Sequence, residues 1–184
     1  MGHGQMARAW LVLLLLQTAF SVEYECSVTI SAAYSLSWTF DNANSIAYFK
    51  VVSTAAGYVS VGFPTVNSNM IGAEAVIGSS TIGVKPYKLN GKTQNSVVVD
   101  TAATIFDTSF TRSGGTTTMT FARAFNNGGS FVIQGTASNK FIWAYHSTNT
   151  GVVSHTSRGA STTGSCTTGM TSTHSRVRVR DRMV

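Results

Sequence analysis

The feature that most constrains this chain is alternation with period two. Tyr34, Leu36, Trp38 and Phe40 are separated by small polar residues, and Ala47, Phe49 and Val51 repeat the pattern after the turn cluster Asp41-Asn42-Ala43-Asn44. Side chains on a strand point to opposite faces in turn, so such a stretch has one apolar and one wet face. No comparable run at helical spacing occurs after residue 21. Further strands are predicted at Tyr58–Phe63, closed by Pro64, which cannot donate to a ladder, and at Ala73–Ile77. Val97–Val99, Thr117–Phe121, Phe131–Gln134 and Phe141–Tyr145 follow, with glycine pairs at Gly114-Gly115 and Gly128-Gly129 as turns, while the stretch around Lys85-Pro86-Tyr87 reads as looser chain. Eight or nine short strands about ten residues apart predict an all-β fold, an antiparallel β-sandwich with immunoglobulin-like two-sheet architecture.

Three segments are expected. Residues 1–21 read as a secretory signal peptide, with Arg8 ahead of the apolar run Ala9–Leu16 and small residues near Ser21. Residues 22–166 form one domain. Residues 167–184 form a basic, disordered tail carrying Arg176, Arg178, Arg180 and Arg182. The tail less Asp181 holds +3 of the formal net charge of +6, so the basic balance does not describe a nucleic-acid-binding face. Only 11% of residues are charged, and a surface of Ser, Thr, Asn and Gly suits a secreted protein. No second apolar stretch reaches membrane length, so no transmembrane segment is expected in the mature chain. In an oxidising compartment Cys26 and Cys166 read as a disulfide joining first and last strands, closing a loop of roughly 140 residues and stabilising by about 5 kcal/mol at most.

Several chemistries are excluded by residue type. There is no Gly-x-Ser-x-Gly elbow and no phosphate-binding Gly-x-x-x-x-Gly-Lys-Ser/Thr loop. Two cysteines cannot build a four-thiolate zinc site, a cysteine-ligated iron-sulfur cluster or, without a C-x-x-C-H run, a covalent haem attachment. Glu74 is the one carboxylate inside a strand that otherwise reads as buried, and is expected to face outward or to pair with an arginine. Met70 stands in a polar loop just before the strand Ala73–Ile77, with no helix face to fill, and its thioether is a soft donor suited to haem iron or copper. His146 and His155 are the histidines inside the expected domain.

The runs Gly57-Tyr58-Val59-Ser60-Val61-Gly62-Phe63, Met70-Ile71-Gly72-Ala73-Glu74-Ala75-Val76-Ile77-Gly78, Thr120-Phe121-Ala122-Arg123, Phe141-Ile142-Trp143-Ala144-Tyr145 and His155-Thr156-Ser157-Arg158-Gly159, in that order, resemble the DOMON domain over roughly residues 26–165. The resemblance is to the haem-binding branch, which includes the cytochrome domain of cellobiose dehydrogenase and plant domains joined to ascorbate-reducible membrane cytochromes. It implies an extracytoplasmic β-sandwich that binds haem b through one Met and one His. Met70 and His155 match those positions, with His146 as the alternative to His155. The implied role is electron transfer with a redox partner protein, as a module rather than a catalyst on its own. Trp143, Tyr145, Phe63 and Val76 are expected to wall the haem, and Lys85, Lys88 or Arg158 to meet its propionates. The family commonly carries Asp where this chain has Glu74 and Trp where it has Tyr58. The alternative is a haem-free DOMON module binding carbohydrate or an extracellular protein, with Tyr87 or Tyr145 stacking on the ligand.

Overall fold

The computed structural model describes residues 22–66 and 69–163. The expected signal, the basic tail and Cys166 lie outside the described residues. Eleven strands are present among them: β1 (Cys26–Ser31), β2 (Tyr34–Asp41), β3 (Ile46–Ser53), β4 (Val59–Phe63), β5 (Ala73–Ser79), β6 (Gly83–Leu89), β7 (Val97–Val99), β8 (Phe106–Ser113), β9 (Thr116–Ala124), β10 (Asn139–Tyr145) and β11 (Ser157–Thr163). The helical content of the described residues is one 3₁₀ turn, Gln94–Ser96. No helix among them is long and apolar enough to cross a membrane.

The strands form two antiparallel sheets, β1-β2-β3-β9-β8 and β11-β10-β4-β5-β6-β7. The predicted β-sandwich is therefore the observed architecture. Between the sheets lies an aromatic core in which Phe49 stacks on Phe121 at 5.0 Å and meets Phe63 and Phe141 edge-on at 5.5 Å. Tyr34, Leu36, Trp38 and Met119 complete it, with Cys26 buried at its margin. No free cysteine occurs among the described residues. Edge-to-face and offset aromatic pairs add about 0.5–1.5 kcal/mol each beyond the area they bury, so this cluster fixes how the sheets face one another.

The sheets are also tied through the core by charge. Glu74 in β5 and Arg123 in β9 lie on the inner faces, with Nη1 of Arg123 3.1 Å from Oε2 of Glu74. The guanidinium also donates to the Asn127 side chain and the Phe131 carbonyl, and stands 4.5 Å over the Phe63 ring. Burial pulls the Arg123 guanidinium below its ordinary pKa, and Glu74 acts against that shift.

This network explains one departure from the sequence reading. The apolar run Phe131–Gln134 is not a strand. Its backbone is engaged elsewhere: Phe131 N donates to Glu74 Oε1, the Phe131 carbonyl accepts from Arg123, and Ile133 N donates to the Phe125 carbonyl. Three strands are more regular than their sequence suggests. β6 includes Pro86, whose carbonyl accepts from Asp100 N on the β7 side. Its missing N–H lies on that same side, so pairing with β5 is uninterrupted. β8 and β11 are the outer strands of their sheets, and their polar, exposed sequences hide them from an alternation test.

Candidate functional site

The sheet β11-β10-β4-β5-β6-β7 is apolar on both faces. Val59, Val61 and Phe63 of β4, Val76 of β5 and Phe141 of β10 point into the core. The intervening positions carry a second cluster on the outer face, in which Tyr58, Ala73, Ala75, Ile77, Tyr87 and Leu89 are buried under Met70, Ile142, Val152 and Val153. Over this outer face lies a cleft of about 420 Å³. Its floor is made of small or slender residues, including Ser60, Gly62, Ala75, Ala144 and Ala160. Gly62 is required there, because a Cβ would come 2.5 Å from Cγ1 of Ile142 on the neighbouring strand.

Three loops wall the cleft. Asn69 and Met70 come from the loop between β4 and β5, Lys92 to Gln94 from that between β6 and β7, and Val152 to His155 from that between β10 and β11. The β4–β5 loop follows Phe63, and the β10–β11 loop follows Tyr145, which pairs with Val59 at the other end of β4. Met70 and His155 thus reach one cleft from loops at opposite ends of the sheet. Met70 is held by a tight turn, in which its carbonyl accepts from Ala73 N at 3.1 Å while Asn69 Oδ1 accepts from Ile71 N at 3.2 Å.

His155 is half-buried, and its Nδ1 lies 2.7 Å from the Tyr58 hydroxyl. The same hydroxyl donates to the Val153 carbonyl at 3.0 Å. Burial raises the Tyr58 phenol to about 12, so it keeps its proton. Desolvation, with smaller effects from Arg158 and His146, holds the His155 imidazole below its ordinary pKa. The neutral form, which can donate a lone pair to a metal, is thereby favoured.

His146 is placed differently. Its Nδ1 accepts from Thr148 N at 3.2 Å and Asn149 N at 2.8 Å, capping the turn after β10, and it does not line the cleft. With Nδ1 engaged by two backbone N–H groups, His146 is held to its own turn rather than to the cleft. The loop it caps is stitched to β4 through Gly57 N to the His146 carbonyl and Tyr58 N to the Asn149 carbonyl. A Cβ at Gly57 would collide with the carbonyls of His146 and Asn149.

The expected aromatic walls sit on the other face. Phe63 and Val76 are core residues, and the rings of Trp143 and Tyr145 stack with one another and against Tyr34 between the sheets. Trp143 nevertheless lines the cleft, and its buried indole N–H lies against Gly159 without a hydrogen-bond partner among the described residues. Tyr87 is 5% exposed and Tyr145 faces inward, so neither offers an open stacking surface. Of the expected cations, Arg158 lines the cleft, Lys88 is turned to Asp100 at 3.3 Å, and Lys85 does not reach it. Lys92 lines it instead. Its place in the turn after β6 gave no sequence signal. No Asp or Glu lines the cleft, and no group of three or more His, Cys, Asp or Glu fit to hold a metal occurs among the described residues.

Comparison with known proteins decides the family. The DOMON domain profile matches residues 30–146. The chain belongs to the DOMON family. Among solved structures, this DOMON chain is similar to the cytochrome b domain of pyranose dehydrogenase from Coprinopsis cinerea, with 14% identity, a TM-score of 0.57, and coverage of 71% of this chain and 76% of that one. At that identity the likeness speaks for the shared fold. No curated protein matches.

Proposed function

We propose that this DOMON domain is a secreted electron carrier that binds haem b, with Met70 and His155 as axial ligands and a separate redox protein as partner. The observation that carries the reading is that a thioether and a neutral imidazole, from loops joined to opposite ends of one sheet, line a single cleft. The surroundings fit the group. The volume is within the range of cofactor clefts, and the glycine and alanine floor leaves room for a ligand to approach the strands closely. Lys92 and Arg158, in a cleft with no Asp or Glu among its described lining residues, suit the two propionates. The fold similarity to a cytochrome b domain supports the same reading. Export is supported by the Arg8 and Ala9–Leu16 pattern.

Bound haem would supply a one-electron iron couple. This chain's residues set how that couple is used. Held by the Met70 sulfur and a His155 nitrogen, the iron would have no open place for oxygen or substrate, and the site would serve electron transfer rather than bond making. The soft Met70 thioether would favour the ferrous state and raise the potential. Ile77, Leu89, Val97, Ile142 and Val152 line the cleft with apolar surface, which would lower the local dielectric around a bound group and raise its potential.

The test is haem titration of the purified chain followed by visible spectroscopy. The expected result is one equivalent of low-spin, six-coordinate haem, lost as low-spin in Met70→Ala and in His155→Ala. No uptake, or a spin state indifferent to both changes, would leave the haem-free binding module as the better account.

A further inference from the structure

We propose that Tyr58 is the positioning residue for His155, holding its imidazole in the tautomer that carries the proton on Nδ1 and presents the Nε2 lone pair to the cleft. The proposal rests on the reading of His155 as a ligand and adds the group that makes it one.

The argument is a count of protons. The Tyr58 hydroxyl has one, and two short polar contacts: 3.0 Å to the Val153 carbonyl and 2.7 Å to His155 Nδ1. A carbonyl oxygen can only accept, so the hydroxyl proton goes to Val153. The contact with His155 is then a hydrogen bond only if Nδ1 carries a proton and the phenol oxygen accepts it. Reversing the direction would set the phenol and Val153 oxygens 3.0 Å apart with no proton between them, in surroundings where an unmade hydrogen bond is destabilising. In the Nδ1–H tautomer Nε2 has its lone pair and no proton, as a metal-binding nitrogen must. Ligating histidines commonly donate their second ring N–H to an acceptor that fixes orientation and raises basicity.

Tyr58 is suited to the task by where it stands. It is 2% exposed, at the head of β4 on the outer face. Its backbone N–H donates to the Asn149 carbonyl and its carbonyl accepts from His146 N, each at 3.0 Å. Val153 and His155 are two residues apart, so one hydroxyl fixes both the course of the β10–β11 loop and the ring it carries. The rings meet edge-on at 6.3 Å and 73°. A tryptophan in its place would have a donor and no acceptor, and could not receive the Nδ1 proton.

The tautomer can be read without any haem. Long-range ¹H–¹⁵N correlation of the full labelled chain, with the His155 signals assigned through His155→Gln, is expected to show Nδ1 protonated and Nε2 bare. Tyr58→Phe keeps the ring and is expected to return His155 to the Nε2–H form that predominates in free histidine. It should also bind haem about 10–100-fold more weakly, while remaining folded with thermal unfolding lowered only by the loss of the hydroxyl's hydrogen bonds. An Nε2–H or evenly mixed His155 in the unsubstituted chain overturns the proposal, whether or not the variant folds. So does a Tyr58→Phe chain with unchanged tautomer and haem affinity. If the tautomer is as stated but the chain takes up no haem, the hydrogen-bond assignment is upheld and the electron-carrier reading falls alone.

Discussion

Oε2 of Glu74 lies 3.1 Å from Nη1 of Arg123, an ion pair joining β5 to β9 across the interior of the sandwich. Arg123 is 1% exposed, so the pair is out of reach of solvent. Its desolvation is offset by the hydrogen bonds each partner makes to the loop after β9. Removing one partner leaves an uncompensated buried charge. Glu74→Ala and Arg123→Ala are each expected to cost about 3–5 kcal/mol in urea unfolding, whereas the two combined cost less than the sum of the single losses. Additive losses in that cycle would show that the two side chains act independently.

Met70 is half-buried in a loop, and its side chain rests on the rim of the outer apolar cluster. Met70→Ala is expected to change the stability of the haem-free chain by about 1 kcal/mol or less while abolishing low-spin haem. A collapse of the fold in circular dichroism would mean that Met70 serves packing rather than ligation.

The two histidines are expected to separate cleanly. His146→Ala removes the acceptor for two loop N–H groups and should cost about 1 kcal/mol of stability with no effect on the haem spectrum. His155→Ala should abolish the low-spin spectrum. The opposite pattern would move the ligand role to His146.

Gly62 sets the depth of the cleft. Gly62→Val drives a branched side chain into Ile142 and is expected to cost about 1–3 kcal/mol, with haem uptake lost. Pairing it with Ile142→Ala should return part of the stability but not the uptake, since the floor stays raised. Full haem affinity in the single variant would place the ligand away from this floor.

The sequence by itself determined the strands of the interior, because alternation in β2, β3 and β4 depends only on each segment having a dry and a less dry side. It also singled out Met70 and His155, whose side chains carry metal-binding chemistry wherever they are put. It could not determine which face of the β10-β4-β5 sheet is core. Phe63, Val76, Trp143 and Tyr145 looked like cavity walls, and Tyr58 and Gly62 like ordinary strand residues. Both sides of that sheet are apolar, so period two yields two equivalent faces. Packing against β2, β3 and β9 broke the equivalence: the face meeting Phe49 and Phe121 became the interior, and the face left over became the cleft. The loss of Phe131–Gln134 as a strand had the same origin, since its backbone groups are taken by Glu74 and Arg123, residues distant in the chain or turned inward by the sandwich. The pairing of Tyr58 with His155 spans 97 positions, and only the closed fold brings that hydroxyl to that ring.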